Sequence, residues 1–226
     1  MINPFYLNSA SELSDLPVFG TLQKRELEEV APLVKVVQYP RNTFIYRPSD
    51  SNDAFCFLLK GHLKKGKFLP DGKELVQYLI HPNEFFGFDR LTGHPVRPHY
   101  VKSLNGAVTI LTVPVSVVER MMARNEQFSL AILELVAKAV KRSELFLDIL
   151  LTADVRTRIT YFLRENTSTS NGQAAEMDTM MHEGLTQQEI ANMIGATRQT
   201  VALVLNELRK ENKIAFNRRE IVIKSA

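Results

Sequence analysis

Arg198, Gln199 and Thr200 stand in a row, and Leu203 follows within the next helical turn. Each side chain has a counterpart on a DNA duplex. An arginine fork spans the two major-groove acceptors of guanine, a glutamine carboxamide pairs both ways with adenine, and an apolar side chain meets the methyl group of thymine; one good bidentate pair discriminates between bases by about 1–3 kcal/mol. Thr200 suits a phosphate oxygen, a contact that fixes register without reading sequence. The same phosphate chemistry fits Thr186, Thr197, Arg209, Lys213, Arg218 and Arg219, which lie on either side of the reading residues. These contacts work only if one helix presents Arg198, Gln199 and Leu203 together to a groove.

The chain supplies that helix and a second one to hold it. Thr186 followed by Glu189 is a capping box, in which hydroxyl and carboxylate satisfy backbone donors and start a helix at a defined residue. Ile190, Met193 and Ile194 give it an apolar face. Gly195 falls where the chain must turn, since glycine reaches positive φ without steric cost, and Thr197 caps a second helix over 198–210. Val201, Leu205 and Leu208 repeat at helical spacing and face the core. Any amphipathic helical hairpin reads this way, so the flanking sequence decides. Lys213–Phe216 and Ile221–Ile223 read as two β runs around the polar turn Asn217–Glu220, a wing beside a helix-turn-helix. From Arg198 onward stand Arg198, Arg209, Lys210, Lys213, Arg218, Arg219 and Lys224 against Glu207, Glu211 and Glu220. The whole chain carries a net charge of only +3, so the argument for nucleic acid rests on where the cations lie.

These residues also form a known pattern: Leu185, Thr186, Glu189, Ile190, Ala191, Ile194, Gly195, Thr197, Arg198, Thr200, Val201, Leu205 and Leu208. With them the segment resembles the DNA-binding domain of the bacterial cyclic-AMP receptor protein and FNR family of transcription regulators. The run 154–159, with Asp154 able to cap it, resembles that family's hinge and first DNA-domain helix. The resemblance implies a sequence-specific regulator bound to double-stranded DNA, with RNA polymerase as a further partner. One departure matters. The family usually carries a second base-reading arginine where this chain has Leu203, so its usual half-site is not expected here.

The 226 residues, 45% of them apolar, suit one large or two small domains. The apolar runs fall well short of the ~20 residues that span a bilayer, and the first residues lack the basic-then-apolar order of a signal peptide. The single cysteine, Cys56, excludes an internal disulfide and sits in an apolar run, as a buried thiol would. A cytoplasmic protein is expected. Over 34–113, short β runs at 43–46, 54–59, 75–80 and 108–113 are separated by turns, among them Lys60-Gly61 and Asp71-Gly72. This predicts an antiparallel roll, and Leu58–Gly61, Pro70–Gly72 and Phe85–Gly87 resemble the cyclic-nucleotide-binding domain of the same family. The expected fold class is α+β: a sensor roll over 1–114, helices over 115–152, and a winged helix-turn-helix over 153–226. Residues 166–172 read as a loop.

The helical stretch from Glu126 to Leu151 carries Ile132, Val136, Ala139, Ser143, Phe146 and Leu150 at alternating spacings of four and three, the seam of a two-stranded coiled coil. A parallel stripe, Leu133, Ala137, Val140, Leu147 and Leu151, is expected to pack on the chain's own domain. Two apolar faces suggest a homodimer, which would match a palindromic site with half-sites ~34 Å apart. A core helix without a partner is the plainer alternative.

The resemblance also locates an effector pocket. Nucleotide-binding members place Gly-Glu-Leu at the ribose and Arg-Ser at the cyclic phosphate; this chain has Gly87-Phe88-Asp89 and Arg97-Pro98. Phe88 cannot accept the ribose hydrogen bond, and Pro98 offers neither hydroxyl nor N–H, so cyclic AMP is not expected as the effector. Arg97 is then either bound to another acidic ligand or exposed to solvent. One cysteine is too few for an iron–sulfur sensor. Haem would need an axial ligand from His81, His94 or His99, and a cupin-like metal enzyme would need clustered His and Glu, but no His-x-His occurs. No catalytic motif appears, and a non-enzyme is expected.

Overall fold

Short apolar runs broken by turns become antiparallel strands as far as Pro114, and helices take over where the apolar spacing changes to threes and fours. The computed structural model describes residues 4–6, 13–104, 106–166, 179–181, 185–216 and 221–224. In chain order the elements are β1 (Pro4–Tyr6), α1 (Lys24–Val30), β2 (Lys35–Tyr39), β3 (Phe44–Tyr46), β4 (Ala54–Lys60), β5 (Leu63–Phe68), β6 (Glu74–Ile80), β7 (Phe85–Phe86) and a 3₁₀ turn at Phe88–Thr92. There follow β8 (Tyr100–Ser103), β9 (Val108–Pro114), α2 (Val115–Arg124), α3 (Glu126–Thr152), α4 (Val155–Glu165), β10 (Thr179–Met181), α5 (Gln187–Ile194), α6 (Arg198–Lys210), β11 (Ile214–Phe216) and β12 (Ile221–Ile223). The chain divides into two compact units, Met1–Lys67 with Ile80–Ser143 and Phe68–Leu79 with Glu144–Ala226.

In the first unit one sheet runs β1-β2-β9-β4-β7, and β3, β8 and β5 lie side by side in another. Every described ladder of the roll is antiparallel, as expected. The run-based reading misses β2, β5 and β8. The case of β5 is instructive, since its lysines hide the pattern: Lys64 and Lys65 are 6% and 9% exposed. Phe55 and Phe57 of β4 and Leu111 and Val113 of β9 form a core with Phe19, Phe85, Met121 and Phe128. The rings of Phe57 and Phe85 are 4.7 Å apart, and Phe19 sits 6.0 Å from Phe85 and 5.9 Å from Phe128. This aromatic chain fixes the start of α3 on the roll.

That anchorage takes one end of the expected seam into the roll. Phe128 and Ile132 are one turn apart and both enter the roll's core, leaving Ile132 only 3% exposed. Val136, Phe146 and Leu150 are half-buried, while Ala139 and Ser143 are exposed, the Ser143 hydroxyl donating to the Ala139 carbonyl at 3.0 Å. The stripe expected to pack inward is instead the open one: Leu133, Val140, Leu147 and Leu151 are 62, 52, 53 and 75% exposed. Once Phe128 and Ile132 are committed inward, the free apolar face lies about 100° further round the helix.

In the second unit β11 pairs antiparallel with β12, which also pairs with β10, so the wing has a third strand at Thr179–Met181 that the sequence did not announce. The expected loop over 167–172, the turn at Asn217–Glu220, and Arg218 and Arg219 with it, lie outside the described residues. Among the described residues no helix is long and apolar enough to cross a membrane.

Candidate functional site

The winged unit is built to hold one helix still. At the start of α5 the Thr186 hydroxyl accepts from the Glu189 N–H at 3.1 Å, and the Glu189 carboxylate accepts from the Thr186 N–H at 2.9 Å. Gly195 ends α5 at φ +67°, and the Thr197 hydroxyl caps α6 by accepting from the Thr200 N–H at 3.1 Å. The hydroxyls of Thr197 and Thr200 are themselves 2.8 Å apart, so all three threonines are engaged in the caps. The backbone N–H groups at the two helix starts remain suited to phosphate.

Behind these helices lies α4, whose Asp154 accepts from the Thr157 N–H at 2.7 Å as expected. Arg158 donates to the Ile194 carbonyl at 3.0 Å and to the Ala153 carbonyl at 3.1 Å, tying the end of α5 to α4. Arg156 reaches Glu207 at 3.1 Å and Glu211 at 2.7 Å, tying the far end of α6 to the same helix. Neither arginine was singled out from the sequence, because the pairing is long-range and both sit on a polar helical face. Hydrogen bonds from Lys213 and then Arg156 hold the Glu211 carboxyl below its ordinary range.

On α6 the inward row Val201, Val204, Leu205 and Leu208 is buried, and Arg198, Gln199 and Leu203 are exposed, Leu203 at 60%. Arg198 and Gln199 line one concavity with Gln187, Gln188, Thr197 and Ala202. The three expected reading residues are thus on one face of one helix. Arg209 and Lys213 are exposed, and the Lys213 ammonium lies 2.8 Å from Glu211.

In the roll, three of the five expected pocket residues, Gly87, Asp89 and Arg97, converge. The Arg97 guanidinium donates to the Gly87 carbonyl at 2.8 Å and to the Ala54 carbonyl, lies 4.4 Å from the Tyr46 ring centre, and approaches Asp89 to 3.7 Å. Asp89 is also 3.5 Å from the Lys65 ammonium and 3.7 Å from His99 Nδ1. Burial raises the Asp89 carboxyl, but His99 and the charges of Lys65 and Arg97 outweigh it and hold the group at about 2. Gly87 has φ +84°, and a Cβ there would come within 2.6 Å of the Arg97 guanidinium. Phe88 lies beside Asp89 in the 3₁₀ turn, and Pro98 is exposed.

Arg97 therefore corrects an expectation. At 3% exposure it is not a solvent-facing residue, and its partners belong to the chain itself. Tyr46, Ala54 and Lys65 complete this cluster without having been legible in the sequence, since carbonyls and distant strands supply the contacts, and His99, weighed there only as a haem ligand, joins it through Asp89.

The three histidines weighed as haem ligands have separate surroundings. His99 faces Asp89, the His94 carbonyl accepts from the Asn52 amide at 3.0 Å, and the His81 ring lies 3.5 Å from Arg142 of α3. Arg142 also pairs with Glu84 at 3.0 Å, fastening the loop before β7 to the long helix. His62 stacks edge-on at 6.0 Å from His81, and burial, then the charge of His81, push its imidazole down to about 4. Cys56 is buried as expected, and burial pushes its thiol up to about 11.

Residues 36–125 match the cyclic nucleotide-binding domain family, and residues 157–226 match the Crp-like helix-turn-helix domain family. The "Global nitrogen regulator" of Nostoc sp. is 28% identical over 83% of this chain and 84% of its own length. The "CRP-like cAMP-activated global transcriptional regulator" of Mycobacterium tuberculosis is 24% identical over 90% of this chain and 92% of its own. In structure the chain is similar to FixK2 from Bradyrhizobium japonicum, with a TM-score of 0.72 at 19% identity, covering 85% of this chain and 93% of that one. With a roll of the nucleotide-binding type, a long helix and a winged helix-turn-helix in this order, the chain belongs to the cyclic-AMP receptor protein and FNR family of DNA-binding transcription regulators.

Proposed function

We propose that the protein acts as a homodimer that reads a palindromic DNA site through α6, and that its sensor roll does not answer to cyclic AMP. The observation that carries the reading is the division of α6 into a fully buried row and an open face bearing Arg198, Gln199 and Leu203. Arg198 and Gln199 take base edges, Leu203 takes a thymine methyl, and phosphates fall to the starts of α5 and α6, at Thr186, Thr197 and Thr200, and to Arg209, Lys213, Arg218 and Arg219. The division of labour is sensing by residues 1–114, pairing by 115–152 and reading by 153–226.

The open stripe Leu133, Val140, Leu147 and Leu151 supports self-association, because a row of aliphatic side chains this exposed is rarely left to water. Two copies give the two-fold symmetry that a palindrome requires. The name of the mycobacterial relative favours cyclic AMP; Phe88, Pro98 and an Arg97 already enclosed by carbonyls and Asp89 argue against it. Membership of a regulator family supports action without catalysis, beside RNA polymerase, in the cytoplasm where DNA and polymerase are.

The test is selection from random duplexes with the purified protein, joined to sedimentation at micromolar concentration. A dimer that enriches a two-fold motif, with affinity falling steeply as salt rises, is the expected result. A monomer, or a selection that enriches no two-fold motif, overturns it.

A further inference from the structure

Among the described residues of the roll, the most buried charged residues, Lys64, Lys65 and Arg97, are all cations. The side chains of Arg97, Lys65 and Asp89 are 3, 11 and 11% exposed, and two buried cations flank the Asp89 carboxylate, with His99 beside it. A buried charge without a counter-charge is costly, and a cluster of this kind must take an anion from somewhere. The chain provides one from within. Asp89 follows Gly87, whose carbonyl receives Arg97, by only two residues and is carried on the short turn Phe88–Thr92. The opposite side is strapped down as well: the Arg97 N–H donates to the Asp50 carbonyl at 2.9 Å, and the Ser49 N–H to the Arg97 carbonyl at 2.8 Å. Both partners of the ion cluster are therefore held by backbone.

We infer that Asp89 is a built-in anion, whose carboxylate stands where a small oxyanion ligand would otherwise neutralise Lys65 and Arg97 and so keeps the roll closed without an anionic effector. This deepens the reading that cyclic AMP is not the effector: the cluster is closed to small oxyanions generally, inorganic phosphate included. It rests on the DNA-binding reading only for its DNA readout. Replacing Asp89 by its neutral amide isostere leaves two cations facing each other and turns the cluster into an oxyanion site.

The test is a titration of the full chain and of Asp89→Asn with inorganic phosphate, followed calorimetrically, with DNA affinity measured in phosphate-free buffer and in phosphate. The natural chain should show no saturable phosphate binding, and phosphate at constant ionic strength should leave its DNA affinity unchanged. Asp89→Asn should bind phosphate saturably, lose about tenfold or more in DNA affinity in its absence, and recover it when phosphate is added. Adding Arg97→Gln to Asp89→Asn should abolish the phosphate binding. Equal binding by the natural chain and Asp89→Asn overturns the inference, as does a folded Asp89→Asn that ignores phosphate. Should Asp89→Asn unfold in phosphate-free buffer, phosphate should refold it, and a chain that phosphate cannot rescue also counts against the inference. Calorimetry reads the roll alone, so failure of every variant to bind DNA, with phosphate behaving as expected, would count against α6 and leave Asp89 standing.

Discussion

Two arginines in this chain have opposite fates. Arg198, at the start of the reading helix, is exposed and has no side-chain partner among the described residues, whereas Arg97, in the roll, is buried against two carbonyls, a tyrosine ring and a carboxylate. The first keeps its donors for another molecule. The second has given two of its donors to carbonyls of its own chain. The difference teaches what to ask of a polar residue in a family's binding position: how much of its hydrogen-bonding capacity is still open.

The same substitution at both places sharpens the contrast most. Arg97→Ala leaves the Gly87 and Ala54 carbonyls without their donor and Asp89 short of a cation, and should destabilise the protein by roughly 3–5 kcal/mol in chemical denaturation. Arg198→Ala should change stability by no more than about 0.5 kcal/mol while relaxing preference at one base pair per half-site by about 1–3 kcal/mol. If Arg97→Ala were as stable as the natural protein, the closed pocket would be an illusion of geometry.

Two glycines give a smaller version of the test. Gly87 and Gly195 share left-handed backbone at φ +84° and +67°, but a Cβ at Gly87 would meet Arg97 at 2.6 Å and one at Gly195 would meet Arg158 at an ordinary 3.6 Å. Gly195→Ala should cost only the backbone term, about 1–2 kcal/mol. Gly87→Ala should cost clearly more, and equal denaturation midpoints would break the comparison.

Another test is one of pH. The His62 imidazole in the roll is held at about 4, below its ordinary 6.5, by burial and then by His81. Between those values the unfolded chain binds a proton that the folded chain refuses, so stability should fall as pH drops from 6.5 toward 4. His62→Gln should flatten that part of the stability curve, and an unchanged slope would show that the histidine is not its source.

What could be read from the sequence follows this division. The capping box of Thr186 and Glu189, the glycine at 195 and the caps at Asp154 and Thr197 are local devices, complete within a few residues, and all occur as expected. The environment of Arg97 is not local: its carbonyl partners are 10 and 43 residues away, and Lys65 reaches Asp89 from a strand whose lysines conceal its burial. The faces of α3 could not be told apart by spacing, because both stripes are apolar. Only the insertion of Phe128 and Ile132 into the roll decides between them.

Arg156 bears on how fast the protein meets its target. It lies on α4, yet its guanidinium spans Glu207 and Glu211, the carboxylates toward the far end of α6, and Lys213 adds a second cation to Glu211. For an approaching polyanion those two negative charges are cancelled before contact, leaving Arg198, Arg209 and Lys210 to set the sign of the field around the helix. Diffusional capture of DNA is quickened by such a field and slowed by salt. A residue that pins one helix to another thus also clears the electrostatic approach to a surface it does not occupy.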